Sequence, residues 1–108
     1  MKPYFGHLEK ETLSNEAFRR VVFTGQFCQL VLMNLKPGEE IGLEVHPHVD
    51  QFFRFEQGQG KVVVDTEEFA VADGDSVAVP AGSQHNVANI GAGDLKLYTV
   101  YSPANHPA

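Results

Sequence analysis

From Phe18 onward the chain alternates short apolar runs with clusters of Gly, Pro, Asp and Asn. Runs rich in Val, Ile, Phe, Leu and Tyr read as strands at 18–24, 27–35, 41–46, 51–56, 61–64, 68–71, 76–79, 85–89 and 95–101. Such side chains suit a pleated, half-buried surface, and period-two alternation separates an inward from an outward face. The gaps carry turn chemistry: Pro37-Gly38, Gln57-Gly58-Gln59-Gly60, Asp73-Gly74-Asp75, Pro80-Ala81-Gly82 and Gly91-Ala92-Gly93-Asp94. Glycine supplies positive φ there, and Asp tolerates similar conformations. Short strands at this spacing predict an all-β sandwich or barrel. Residues 1–17 are polar and mixed, and Thr12–Arg20 offers one helical turn. The expected organisation is an N-terminal segment at 1–17, a β domain at 18–102 and a tail at 103–108. A chain of 108 residues buries about two thirds of its unfolded surface, enough for a core without staples.

Two spacings inside the β region carry chemistry. One runs Gly38-x5-Glu44-x-His46-x4-Gln51-x6-Gly58, the other Gly74-x5-Pro80-x-Gly82-x2-His85-x3-Asn89. Residues i and i+2 of a strand share a face, so Glu44 and His46 project together. Gln51, Phe53 and Phe55 share a face on the next strand, and His85 arrives from a distant segment. Imidazole nitrogen, carboxylate oxygen and amide oxygen all serve a divalent first-row ion. A His or Gln inside a barrel is also an ordinary hydrogen-bonded core residue, so the metal reading rests on all four falling on one pattern. Gln51 keeps two readings, as a ligand or as a hydrogen-bond partner of Glu44 or a bound water.

These spacings resemble the two signature motifs of the cupin superfamily. The usual first motif is Gly-x5-His-x-His-x3 or x4-Glu-x6-Gly; here Glu44 stands at the first His and Gln51 at the Glu. The second motif has no departures. The carboxylate has moved rather than disappeared, so the formal charge of the set is kept. The tripeptide His46-Pro47-His48 does not supply the pair, because only Val49 and Asp50 separate His48 from Gln51. The resemblance implies a jelly-roll barrel, the double-stranded β-helix. It also implies a divalent metal (Mn, Fe, Ni or Zn) held by Glu44, His46, Gln51 and His85. The segment Glu44–Phe53 and the ending Leu95–Pro103 are similar to a group of small single-domain cupins, some of which carry a mannose-6-phosphate isomerase name by similarity. Type I phosphomannose isomerases are cupins with a Gln, His, Glu, His zinc set. The implied function is a metal-dependent isomerase or dioxygenase acting on a small oxygenated molecule. The alternative is a non-catalytic module that binds or senses a small ligand in the same cavity. A homodimer is implied too, and Phe52, of outward parity, packs either against a second subunit or between sheets.

Parity extends the pocket. Phe53 and Phe55 are expected to line the interior, with Val62, Val64, Ala78 and Val87 as companions. Met33 and Tyr98 are further lining candidates whose faces no anchor fixes. His48 falls at the barrel mouth, either as a proton relay, for which an ordinary pKa of about 6.5 is suitable, or as an exposed loop residue. Asp50 is placed to hold that loop by bonding backbone. His7 and His106 lie in the termini and belong to no motif.

Charge narrows the partners. The net charge is −6, and the eight Lys and Arg are scattered, which argues against nucleic acid, whose phosphates need clustered cations. The single Cys28 excludes an internal disulfide and suggests a reducing compartment. It lies in the apolar stretch Phe27–Leu35 and is expected to be buried and inert. No segment approaches the ~20 apolar residues of a membrane span. Met1-Lys2-Pro3-Tyr4 opens no signal-like apolar run, so the expected location is cytoplasmic.

Overall fold

The computed structural model describes residues 1–107. A short helix, α1 (Leu8–Ser14), precedes β1 (Arg19–Thr24), β2 (Gln29–Leu35), β3 (Glu44–Val45), β4 (Asp50–Gln57), β5 (Gly60–Val64), β6 (Glu67–Val71), β7 (Ser76–Val79), β8 (Gln84–Asn89) and β9 (Leu95–Ser102). The strands form two sheets, ordered β1-β2-β9-β4-β7 and β3-β8-β5-β6. All pairings are antiparallel. Apart from the β1–β2 and β5–β6 hairpins, every connection crosses between sheets, which is the jelly-roll arrangement. Each expected strand is present. β3 is shorter than its 41–46 expectation because the residues before it make isolated bonds, Ile41 N–H to Val87 O at 2.9 Å and Gly42 N–H to Asn86 Oδ1 at 2.9 Å.

The helix falls earlier than Thr12–Arg20. Glu9 and Glu11 in its first turn suit the positive end of the helix dipole. Asn15 ends it in extended backbone. The Asn15 side chain accepts from Ala17 N–H at 3.2 Å and donates to Ala17 O at 2.8 Å, a local bond that competes with a further helical turn. Buried Lys96 then pins the segment by donating to Asn15 O at 2.7 Å. Cys28 is also displaced from expectation: β2 begins at Gln29, so Cys28 sits in the hairpin turn, where its carbonyl accepts from Gly25 N–H at 2.8 Å and its side chain is exposed. Among the described residues no helix is long and apolar enough to cross a membrane.

Register divides the interior into layers. Gln29, Tyr101 and Gln51 lie side by side across β2, β9 and β4. One step inward come Val31, Thr99 and Phe53, and then Met33, Leu97 and Phe55. Glu44, His85 and Val64 align on the facing sheet. The apolar layers join Val62, Val71, Val79, Val87 and Leu95 in one core. Gln29, Tyr101, Gln51 and His85 thus form a polar layer at one end of the barrel, the apolar layers lie beneath it, and Asn89 is buried at the other end, donating to Leu35 O at 2.8 Å.

Candidate metal centre

The polar end is built by the two motifs. Glu44 leaves β3, His85 stands opposite it on β8, and His46 follows two residues after Glu44. Gly82 fixes the crossing: it lies at φ 89, a left-handed conformation natural to glycine, and its N–H donates to His46 O at 2.9 Å. Asp50 holds the neighbouring turn as expected, accepting from Ala81 N–H at 2.8 Å. One ligand atom each from Glu44, His46 and His85 lie within 4.8 Å of one another.

The hydrogen bonds show what this cluster lacks. His85 Nδ1 faces the Ser83 carbonyl at 3.0 Å. A carbonyl only accepts, so Nδ1 carries the proton and a neutral ring presents a bare Nε2. That Nε2 lies 3.1 Å from Gln51 Oε1, while Gln51 Nε2 donates to Thr99 Oγ1 at 2.9 Å. With the amide in this orientation two lone pairs meet in a buried site. His46 Nε2 is buried with no hydrogen-bond partner among the described residues, and the Glu44 carboxylate is 3.6 Å away. An unpartnered buried polar atom is costly. A divalent cation accepts imidazole nitrogen, carboxylate and amide oxygen together, so the residues present fit such an ion.

Electrostatics agree. Burial pushes the His46 pKa below its ordinary 6.5 and outweighs the opposing Glu44 carboxylate, with His85 adding to the lowering. The ring is thereby held in its neutral, ligating form. Burial, reinforced by Glu44, pushes the Tyr101 phenol up to about 12, against Arg19 and Gln51. Tyr101 therefore stays protonated at neutral pH.

Other expected residues separate by register. Phe53 lines the site, its ring 6.2 Å from that of His85. Phe55 and Met33 face inward but are fully buried core, each four residues deeper along its strand than the polar layer and thus about 13 Å away. Tyr98 is not in the pocket: it pairs with Leu32 and Arg54, outside the alternation of Leu95, Leu97, Thr99 and Tyr101. Ala78 is exposed too, pairing with outward Phe52, and Val79, opposite Gln51, takes the inward place. His48 is exposed in the turn after His46 and lies outside the cluster.

Sequence reasoning missed Gln29, Thr99, Tyr101 and His106. The first three were readable from alternation with Val31, Met33 and Leu35 on β2 and with Leu95 and Leu97 on β9. His106 had no such signal. Its Nε2 lies 2.9 Å from the Tyr101 hydroxyl.

The Cupin domain family model matches residues 31–101. The chain is 46% identical over 112 residues to the uncharacterized protein YrkC of Bacillus subtilis, covering 98% of this chain and 60% of that protein. It is 43% identical over 109 residues to the uncharacterized protein L612 of Acanthamoeba polyphaga mimivirus, covering 96% and 68%. The crystal structure of BH2720 from Bacillus halodurans superposes with a TM-score of 0.96 at 44% identity, covering 98% of this chain and 85% of that one. The chain thus spans about three fifths of the length of YrkC.

Proposed function

Because the chain belongs to the cupin family, we propose that it holds one divalent metal through Glu44, His46 and His85, with Gln51 as a fourth donor, and binds a small oxygenated molecule there. The carrying observation is the convergence of the Glu44, His46 and His85 ligand atoms within 4.8 Å, with His46 Nε2 buried and unpartnered. When bound, a divalent ion supplies Lewis acidity and, with four protein donors, keeps coordination positions open to a ligand. The protein residues supply the rest. Ser83 fixes the His85 tautomer, Thr99 orients the Gln51 amide, and Glu44 contributes the anionic donor. Phe53 makes an apolar wall beside His85. Isomerisation and oxygen-dependent cleavage both need such an open position, and these are the proposed reaction classes.

Elemental analysis of the purified protein tests this. One equivalent of Mn, Fe, Ni or Zn per chain is expected, with most of it lost in His85→Ala while the fold persists. A wild-type protein that carries no metal and takes up none of the four at micromolar concentration overturns it.

A further inference from the structure

The last described turn of chain is bound to the barrel mouth by a buried glutamine. Gln29 is fully buried in the polar layer, beside Tyr101. Its Nε2 donates to Thr24 Oγ1 at 3.0 Å and to His106 O at 2.8 Å. Its Oε1 accepts from Asn105 N–H at 3.0 Å and His106 N–H at 2.9 Å. Three of these four bonds hold residues 105 and 106, and they use the full capacity of the amide.

The clamp delivers one side chain to the site. The His106 ring packs edge-on against Tyr101 with centroids 4.9 Å apart, and its Nε2 meets the phenol oxygen at 2.9 Å. Tyr101 in turn stands edge-on to His46 at 6.0 Å and neighbours Gln51 on β4. The phenol is a polar group of the pocket outside the donor set; Gln51 lies near enough to act on it, and His106 makes its close hydrogen bond. A hydroxyl rotates to suit its partners, so a fixed neighbour decides where its free capacity points.

We propose that His106 is a positioning residue that donates from Nε2 to the Tyr101 oxygen and so aims the phenol hydrogen at the second oxygen of a small two-oxygen ligand, such as a hydroxamate or a 2-hydroxy or 2-oxo carboxylate, bound at the metal pocket. This rests on the metal reading above and deepens it by naming the ligand class. One oxygen of such a ligand joins the donor set, and the other receives the phenol hydrogen bond.

The test uses the full chain loaded with Co2+ and titrated with acetohydroxamate, followed by the visible cobalt spectrum. Cobalt content is measured first, before any ligand is added. All variants are expected to hold one Co2+ per chain. His106→Ala and Tyr101→Phe should each weaken acetohydroxamate about tenfold, the size of one lost hydrogen bond. The double variant should be no weaker than either single one, and His106→Gln, whose amide can reach the phenol, should restore wild-type affinity. Unchanged affinity in His106→Ala, additive losses, failure of His106→Gln to rescue, or loss of cobalt on changing His106 each overturns the positioning role. A wild-type chain that takes up neither Co2+ nor any of Mn, Fe, Ni and Zn instead overturns the metal reading, and the inference with it.

Discussion

His85 Nε2 and Gln51 Oε1 face each other at 3.1 Å with no hydrogen between them once Ser83 has claimed the Nδ1 proton. Rotating the amide would reverse the pattern, with Gln51 donating to His85 and Thr99 donating to Gln51. The arrangement with oxygen toward Nε2 is the one that suits a cation.

Gln51→Glu separates the two arrangements. A carboxylate at this position adds a second anionic donor and is expected to tighten metal binding at least tenfold in a chelator competition. Without metal it places a buried charge near Glu44 and should destabilise the fold by about 1–3 kcal/mol in denaturant titration. Equal metal affinity in the two proteins would show that Gln51 lies outside the donor set.

Glu44 and His48 make a ranking test. Glu44 is the only carboxylate in the cluster, and His48 is exposed outside it. Glu44→Ala should weaken metal by at least about a hundredfold, beyond the usual effect of changing a group that only supports a ligand. His48→Ala should leave affinity within about twofold, since nothing ties His48 to the donors. The reverse order in a metal titration would assign the site to His46 and His48.

The strands were legible because the runs are short, β-branched or aromatic, and closed by turn residues. The donors Glu44, His46 and His85 were legible because two fixed spacings with terminal glycines bring them onto facing strands. Tyr98 and Ala78 were misplaced because a one-residue shift flips a side chain to the other face, and only the observed pairing of Gln51 with Val79 and Tyr101 sets that register. Cys28 was misplaced because apolar composition does not show where a hairpin turn ends and a strand begins. His106 was invisible because its position depends on one buried amide, Gln29, 77 residues away along the chain.

Phe52 bears on assembly. It is 39% exposed on the outer face of β4, flanked by Ala78 and Val100 in neighbouring strands. A stable dimer through this face should bury more than roughly 1,000 Å² in total. Light scattering is expected to give twice the 11.9 kDa of the chain, with Phe52→Lys returning it to the single-chain mass. A wild-type protein at the single-chain mass at micromolar concentration would remove Phe52 from any subunit contact.

Gly58 tests the frame that sets the first motif. It lies at φ 109, and a Cβ there would come within 2.6 Å of Asp94 O. Both the conformation and the backbone contact oppose any side chain, so Gly58→Ala should lose about 2 kcal/mol or more. The β4–β5 turn would have to open away from the β8–β9 loop. A thermal melt matching the wild type would contradict this close approach.

Acid should act on stability through His46 and His106 and on metal affinity through His46. Burial holds His46 and His106 below their ordinary 6.5 in the folded chain. As pH falls below 6.5 the unfolded chain takes up these protons before the folded one does, so it holds more protons in that window. Stability of the metal-free protein should therefore decline from about pH 6.5 downward, and be flat just above it. Metal affinity should decline at lower pH, as the depressed His46 group of the folded chain itself takes up a proton and no longer offers Nε2. His106→Gln removes one of the two depressed groups but none of the donors. It should shallow the acid slope of metal-free stability and leave the pH dependence of metal affinity in place. Melting curves and metal titrations between pH 5 and 8 check both. A metal-affinity curve that moves with His106→Gln would place His106 among the ligands rather than beside them.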